Sequence, residues 1–238
     1  MKRISTLTMI LVLWASCLFA QEKPKTIVET IYLLPKRGMS EKFEAAVKAH
    51  NDKFHKEGPH YAALRTVEYG DKAGWYVWLM RGTYASLDSR PDGGDHSGDW
   101  DKTIDPLVEK YGRVGLFEYN EELSYGADIL MKSKYYRAWQ VDIKDGKYEQ
   151  FKSLVSRVKK SYESMGNRAF LVYDNAVPTA NTADVGMLWS FDKYDELDDN
   201  WGTKDAYEKL YGEGSWAGLI DEWQAITNSI DVEIRSMN

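Results

Sequence analysis

Apolar and polar positions follow the same order along two stretches of the chain. Each stretch starts with a segment rich in β-branched and aromatic residues, Thr26 to Leu34 and Tyr135 to Ile143, which is typical of a strand. A turn containing Gly38 or Gly146 follows. Apolar residues then recur at the spacing of a helix that buries one face. They are Met39, Phe43, Ala46, Val47, His50 and Phe54 in the first stretch, and Phe151, Leu154, Val155, Val158 and Tyr162 in the second.

The remainder of each stretch predicts two strands, a helix and a last strand. Gly58 and Gly166 stand where a left-handed cap would end each first helix. The later elements of the first stretch are strands His60 to Tyr69 and Trp75 to Met80, a helix Trp100 to Tyr111 and a strand Gly115 to Tyr119. Those of the second are strands Ala169 to Tyr173 and Gly186 to Phe191, a helix Trp216 to Thr227 and a strand Ile230 to Ile234. Each order is β-α-β-β-α-β, the ferredoxin-like arrangement.

The two stretches also match each other residue by residue. Offsets of 108, 111 and 116 residues pair Phe43 with Phe151, Gly58 with Gly166, Trp78 with Trp189 and Trp100 with Trp216. The offset changes only where loops are expected, which indicates an internal duplication. We therefore predict a first ferredoxin-like repeat over residues 26–124, a linker over 125–134 and a second repeat over 135–238.

The predicted arrangement determines how the repeats pack. A four-stranded sheet with both helices on one face leaves its other face apolar and uncovered. Two repeats in one chain cover both faces by packing sheet to sheet. The predicted fold class is therefore α+β, with two tandem ferredoxin-like repeats forming a pseudo-dimeric α+β barrel within one chain. Because the duplication replaces a second subunit, we predict a monomer.

The first 20 residues have the pattern of an export signal. Lys2 and Arg3 precede the apolar run Leu7 to Leu13, and Ala20 offers a small residue for cleavage. The run is shorter than the roughly 20 residues of a membrane span. Residues 21–25 then form an N-terminal linker. The alternative is a lipoprotein signal ending at Cys17, which would anchor the chain through a lipid. Both predict an exported protein, periplasmic or secreted.

Composition and missing motifs argue against several classes of function. The formal net charge is −6, and it becomes −8 without Lys2 and Arg3, which argues against nucleic acid as a partner. Cys17 is the single cysteine, so the mature chain would have no disulfide and no cysteine metal site. Phosphate-binding glycine loops and the serine-hydrolase and zinc-protease motifs are missing. The high aromatic content, 13%, suits a pocket for a flat or apolar ligand.

The duplicated pattern, with Trp78 and Trp189 on its third strands, resembles the dimeric α+β barrel superfamily in an internally duplicated form, which includes antibiotic-biosynthesis-monooxygenase-like domains. The resemblance covers about residues 26 to 236. The superfamily also contains haem-degrading monooxygenases, muconolactone isomerases, chlorite-dismutase-like haem proteins and stress-response proteins. It implies a pocket in each half, between the helices and the sheet.

The four histidines, His50, His55, His60 and His96, all belong to the first stretch, so the first repeat is the expected place of a pocket. His50 lies on the apolar stripe of the first helix and is a candidate general base or haem ligand, with a core histidine as the alternative. His96 lies in a glycine-rich segment expected to be an exposed loop, capped onto the next helix by Ser97 or Asp99. His55 is expected to be solvated at the helix end. His60, which opens a strand, is a candidate ligand-binding residue.

Metal and haem chemistry receive less support from these patterns. The spacing of Asp92, Asp95, His96 and Asp99 fits neither an EF-hand nor a zinc motif, so no metal site is predicted. The haem-degrading branch implies an Asn on the first strand and a His on the second helix, and this chain has neither. No cofactor is therefore predicted, with haem as the alternative.

The tryptophans are candidates for the wall of a pocket. Trp78 matches Trp189, and Trp100 matches Trp216. A tryptophan kept in both stretches favours core packing, with an aromatic ligand wall as the alternative. Trp75 lacks a twin. We predict a protein that binds a small apolar or aromatic molecule. The alternatives are a cofactor-independent or haem-assisted monooxygenase using His50 or His96 beside Trp78, and a non-catalytic structural or interaction protein.

Overall fold

The computed structural model describes residues 23–91, 94–180, 182–198 and 202–237. The predicted export signal, with Cys17, lies outside these residues. The strands are β1 Thr26–Pro35, β2 Ala62–Tyr69, β3 Tyr76–Thr83, β4 Val108–Tyr119, β5 Tyr135–Ile143, β6 Phe170–Asn175, β7 Val185–Phe191 and β8 Thr227–Met237. The α-helices are α1 Ser40–Phe54, α2 Tyr84–Asp88, α3 Gly94–Thr103, α4 Ala127–Leu130, α5 Tyr148–Met165, α6 Thr203–Tyr211 and α7 Ser215–Ile226.

The eight strands form one closed antiparallel barrel in the order β1-β3-β2-β8-β5-β7-β6-β4. Strands from residues 26–119 are adjacent in the order β4-β1-β3-β2, and strands from residues 135–237 in the order β8-β5-β7-β6. The two groups join at both edges, where β2 pairs with β8 and β4 with β6. Every strand therefore has a partner on each side, and the barrel has no open sheet edge.

Two apolar cores lie between the helices and the outer face of the barrel. In the first, the stripe of α1 places Phe43 and Val47 against Leu64 and Trp78 of the sheet. In the second, α5 places Phe151 against Trp189. Since alternate residues of a strand point to opposite faces, the same strands also supply the inner lining of the barrel.

The predicted helix Trp100 to Tyr111 is wrong in its bounds. Helix α3 runs instead from Gly94 to Thr103, a short 3₁₀ turn follows at Asp105–Leu107, and β4 begins at Val108. Pro106 explains the early end, because proline lacks the N–H of a helical hydrogen bond and disfavours helix at the residue before it. The segment expected to be an exposed loop around His96 is thus helical from Gly94 onward.

Other boundaries follow the sequence pattern more closely. Helix α7 matches the predicted Trp216 to Thr227 within one residue, and Gly166 ends α5 with a φ of 75° as predicted. The first helix ends earlier than expected, because its C-cap is His55 rather than Gly58. In the expected linker, Tyr125 forms a bridge with Phe170 and α4 follows. Among the described residues, none of the helices has the length and apolarity needed to cross a membrane.

Candidate metal centre

Three histidines from two helices meet beside the outer face of the barrel. His50 belongs to the buried face of α1, His55 is the residue that caps this helix, and His96 comes from α3, which packs on α1. One ring nitrogen of each lies within 4.8 Å of those of the other two. We call His50, His55 and His96 the three-histidine cluster. His50 and His55 are only 1% and 2% exposed.

The His50 ring is oriented by a carboxylate. Its Nδ1 atom lies 2.8 Å from Oδ2 of Asp99, one turn beyond His96 on α3. The carboxylate accepts the Nδ1–H, so a neutral ring carries a lone pair on Nε2. That Nε2 atom is buried and has no hydrogen-bond partner among the described residues. An unpartnered buried nitrogen is costly unless a further group occupies the space beside it.

The His55 ring is oriented by the backbone. Its Nδ1 atom lies 2.8 Å from the carbonyl oxygen of His60, which can only accept a hydrogen bond. Nε2 of the neutral ring is therefore a lone pair, and it lies 3.0 Å from Nε2 of His96. In this state His96 donates the proton of that contact. Two of the three rings thus have Nδ1 held by an oxygen, which leaves Nε2 of His55 in contact with His96 and Nε2 of His50 without a hydrogen bond.

Aromatic side chains pack around the cluster. The ring centroids of His50 and Trp100 are 5.1 Å apart, and those of His55 and Trp78 are 5.4 Å apart. Phe54 covers His50 and His96 at 4.9 and 5.0 Å. Trp78 is fixed in turn by its Nε1–H, which donates to Oδ1 of Asn51 at 3.0 Å.

Burial favours the uncharged form of two of the three rings, those of His55 and His96. Burial lowers the pKa of His55 to about 4, against the effect of its hydrogen bond to the His60 carbonyl, and the nearby His50 lowers it further. Burial also lowers the pKa of His96, again with a contribution from His50. Neutral imidazole is the form that binds a metal ion, so at neutral pH His55 and His96 are in the binding-competent state.

The predicted site residues divide into those that meet here and those that do not. His50, His96, Trp78 and Trp100 form one group. His60 contributes its carbonyl, while its Nε2 bonds to the carbonyl oxygen of Ser86 at 2.8 Å. Trp75 packs elsewhere, against Tyr32, Val67 and Val77, and Trp189 belongs to the second core. Their functional roles stay predictions.

The sequence analysis missed two members of this group. His55 was expected to be solvated and is buried instead, because α1 ends at Phe54 and the His60 carbonyl holds the ring inward. Asp99 was expected to cap a helix, but it lies inside α3 and binds His50. The confinement of all four histidines to one half of the chain was the available signal.

Two mainly apolar cavities among the described residues lie apart from the cluster. One, inside the barrel, has a volume of about 190 Å³ and is lined by both halves; we call it the barrel cavity. The other, of about 120 Å³, lies beneath α5 and α7 and is lined by Trp139, Trp189, Trp216 and Trp223 among others. We call it the second-half cavity. Neither is lined by His50 or His96.

Comparison with known proteins reveals similarity at the level of fold. No protein-family model and no curated protein sequence matches the chain. A solved "putative monooxygenase" from Fusobacterium nucleatum superposes with a TM-score of 0.60 at 10% identity, over 90% of this chain and 93% of that one. Another, from Lactobacillus acidophilus, has a TM-score of 0.57 at 16% identity, over 89% and 93%.

A mutant chlorite dismutase from Candidatus Nitrospira defluvii is also similar, with a TM-score of 0.56 at 8% identity, over 89% of this chain and 91% of that one. At these identities the comparison shows the fold alone. The eight-stranded antiparallel barrel with helices outside, together with these neighbours, identifies the fold of the chain as that of the dimeric α+β barrel (ferredoxin-like) superfamily.

Proposed function

We propose that the protein binds one divalent transition-metal ion through His50, His55 and His96, and binds a small molecule beside that ion. The observation that carries the proposal is the convergence of three ring nitrogens within 4.8 Å, with His50 and His55 buried and Nε2 of His50 unpartnered. This proposal replaces the expectation of no metal, which rested on spacing along the chain. Metal ligands that come from two separate helices do not produce a characteristic spacing along the sequence.

The donor set fits the chemistry of a first-row metal. Imidazole nitrogen suits zinc, copper, nickel and iron, and three histidines with an open position occur in catalytic zinc sites. Zinc–nitrogen bonds of about 2.0–2.1 Å place tetrahedral ligands about 3.4 Å apart. The Nε2 atoms of His55 and His96 are already 3.0 Å apart. Asp99 and the His60 carbonyl supply the outer-shell contacts that usually orient metal-binding histidines.

A haem group does not fit these residues. An axial histidine needs a flat open space over its free nitrogen, but the rings of His55 and His96 pack against that of His50, with centroids 5.3 and 4.9 Å from its centroid. The residues that line the second-half cavity include neither histidine nor cysteine. Its volume of about 120 Å³ is below the roughly 150 Å³ that accommodates one benzene. We therefore propose no haem.

The small molecule belongs beside Trp78 and Trp100. Three protein ligands leave further coordination positions on a metal ion for water or for a polar atom of a ligand. The two indoles, 5.9 Å apart and edge to face, supply an apolar wall for a small aromatic molecule. A metal-dependent monooxygenase is the second candidate, supported by the two proteins of similar fold described as "putative monooxygenase".

Three further proposals complete this assignment. The first is that residues 1–20 are an export signal and that the protein acts outside the cytoplasm. The halves derive from a duplication, as supported by the strand order β4-β1-β3-β2, which recurs as β8-β5-β7-β6. The protein is a monomer, because β2–β8 and β4–β6 pairing within one chain closes the barrel that two subunits would otherwise form.

Calorimetric titration of the untagged, metal-free protein with Zn²⁺ tests the metal site. We expect one ion per chain. His96→Ala removes a ligand and should weaken binding by more than the roughly 10- to 100-fold that loss of an outer-shell partner costs. His60→Gln is the matched control, because it removes a neighbouring ring and leaves the carbonyl that holds His55. No binding, or equal affinity of His96→Ala and the unmodified protein, would reject the proposal.

Oxygen uptake with anthrone as the probe tests the second candidate, since an anthrone oxidase-like protein shares this fold (TM-score 0.52, 10% identity). Uptake that requires both the metal and His96 would support a monooxygenase. Uptake that is equal with and without the metal would reject a metal-dependent oxygenase and leave the binding site intact.

A further inference from the structure

The barrel cavity lies between the two halves and is separate from the metal centre. Its volume is about 190 Å³, above the roughly 150 Å³ of a cavity that accommodates one benzene. The apolar part of its lining comes from strands of both halves. This part includes Val28, Leu79, Phe117, Leu171, Leu188 and Met237. The cavity therefore has the size and the wall of a site for a small aromatic or aliphatic molecule.

All the charged side chains that line the barrel cavity are positive. Four arginines line the cavity, Arg65, Arg81, Arg113 and Arg235, and none of the aspartates or glutamates in the described part of the chain does. Among the salt bridges between described residues, only Arg235 of these four takes part in one, with Glu233 at 2.7 Å. Three guanidinium groups therefore reach a mostly apolar chamber without a carboxylate of their own.

Arg65 is the most informative of the three. It is 7% exposed, and its Nη1 donates to the backbone carbonyl of Leu64 at 2.8 Å. A buried guanidinium that has only a neutral acceptor pays a desolvation cost that an anion would offset. By contrast, Arg113 is hydrogen-bonded to the neutral amide of Gln140, and Arg81 is exposed, at the rim of the cavity.

We propose that the barrel cavity binds a small amphipathic anion, an aromatic or short aliphatic carboxylate, with its carboxylate on Arg65 and its apolar body against the inner wall. Guanidinium is the side-chain group best matched to a carboxylate, since it donates two parallel hydrogen bonds. Arg81 and Arg113 add positive potential that attracts the anion to the cavity. This site does not depend on the three-histidine cluster.

Benzoate and its neutral isostere benzamide are the probes. Binding to the full protein is measured by titration calorimetry in EDTA, so that failure of the metal proposal does not affect the result. We expect benzoate to bind at least about tenfold more tightly than benzamide, because charge-assisted hydrogen bonds contribute more than neutral ones. Arg65→Gln and Arg81→Gln should each weaken benzoate binding, Arg65→Gln more, with benzamide binding unchanged.

Arg37→Gln, a change of an exposed arginine that does not line the cavity, is the matched control and should bind benzoate like the unmodified protein. If Arg65→Gln does not fold, as judged by circular dichroism, the proposal is tested by benzoate binding to Arg81→Gln and by the ratio of the benzoate and benzamide affinities. Equal affinities for benzoate and benzamide, or no benzoate binding at millimolar concentration, would overturn the proposal.

Discussion

The Nδ1 atom of His50 lies 2.8 Å from Oδ2 of Asp99, and this contact leaves Nε2 as the ring nitrogen without a hydrogen bond. Among the described residues, Asp99 is the only acidic residue whose carboxylate lies within 4.0 Å of a histidine nitrogen. It is also within 3.9 Å of Lys53, on the outer side of α1. The carboxylate therefore links α1 to α3 at the position where the proposed metal ligands converge.

Asp99→Asn should weaken Zn²⁺ binding by about 10- to 100-fold without removing a ligand. An amide can still contact Nδ1 of His50, but it lacks the charge that makes the ring a stronger donor to a metal. The measurement is a competition titration against a chelator of known affinity. Asp101→Asn, a change of an exposed carboxylate on the same helix, is the control and should leave the affinity unchanged. An equal effect of both changes would contradict an outer-shell role for Asp99.

The metal-free protein should lose stability as the pH falls from about 6.5 to about 4. The pKa of His55 is about 4 in the folded protein and near 6.5 when unfolded, so the unfolded chain binds more protons within this window. The free energy of unfolding therefore has its full value above pH 6.5 and decreases toward pH 4. Urea titrations in EDTA at several pH values measure it.

His55→Gln is the variant that isolates this effect. It keeps a side chain able to donate to the His60 carbonyl and removes the titrating ring. Its free energy of unfolding should therefore fall less steeply between pH 6.5 and pH 4 than that of the unmodified protein. Parallel pH curves for the two proteins would show that His55 is not the group responsible.

Phe43→Ala and Phe151→Ala should each lower the stability of the whole barrel. Both rings are 0% exposed, and truncation of a buried phenylalanine costs about 3–5 kcal/mol. Because β2–β8 and β4–β6 pairing joins the halves, we expect one unfolding transition in each variant. Circular dichroism and tryptophan fluorescence in urea should report the same midpoint. Lys42→Ala, at an exposed position of α1, is the control; separate transitions in Phe43→Ala would contradict cooperative unfolding.

Sequence periodicity predicted most of the strands and the main helix of each half, because these elements depend on local alternation and on stripes such as Phe151 to Tyr162. Periodicity did not predict the elements whose presence or ends depend on tertiary contacts. Helix α6 was missed because only Thr203 and Tyr207 of its nine residues are buried, too few to form a readable stripe. The bounds of α3 depended on Pro106, a local signal that the repeat alignment outweighed.

The candidate site was predicted less completely than the fold. His50 was singled out because it interrupts an apolar stripe, and Trp78 because it recurs at the matching position. The burial of His55 depends on the His60 carbonyl, and the pairing of Asp99 depends on how α3 packs on α1, neither of which appears as a spacing. The arginines of the barrel cavity gave no signal either, since only closure of the barrel places Arg65 and Arg113 in one chamber.

The ion pair beneath the barrel cavity should be more important for stability than the tyrosine that joins it. Glu233 and Arg235 are 4% and 8% exposed, and Tyr32 OH donates to Glu233 at 3.0 Å and accepts from Arg235 at 2.5 Å. Glu233→Gln leaves a buried guanidinium without its counter-charge and should cost about 3–5 kcal/mol. Tyr32→Phe keeps the ion pair and should cost about 1–3 kcal/mol.

Replacing both charges tests this reasoning, because an uncharged pair avoids the unpaired charge that either single change leaves. Glu233→Gln combined with Arg235→Met should therefore be more stable than Glu233→Gln alone, as measured by urea unfolding at pH 7. The tyrosine does not complicate the comparison, since burial raises the pKa of Tyr32 to about 12 and it stays protonated. If the double variant is no more stable than Glu233→Gln, the loss comes from packing around Glu233 and not from the isolated charge of Arg235.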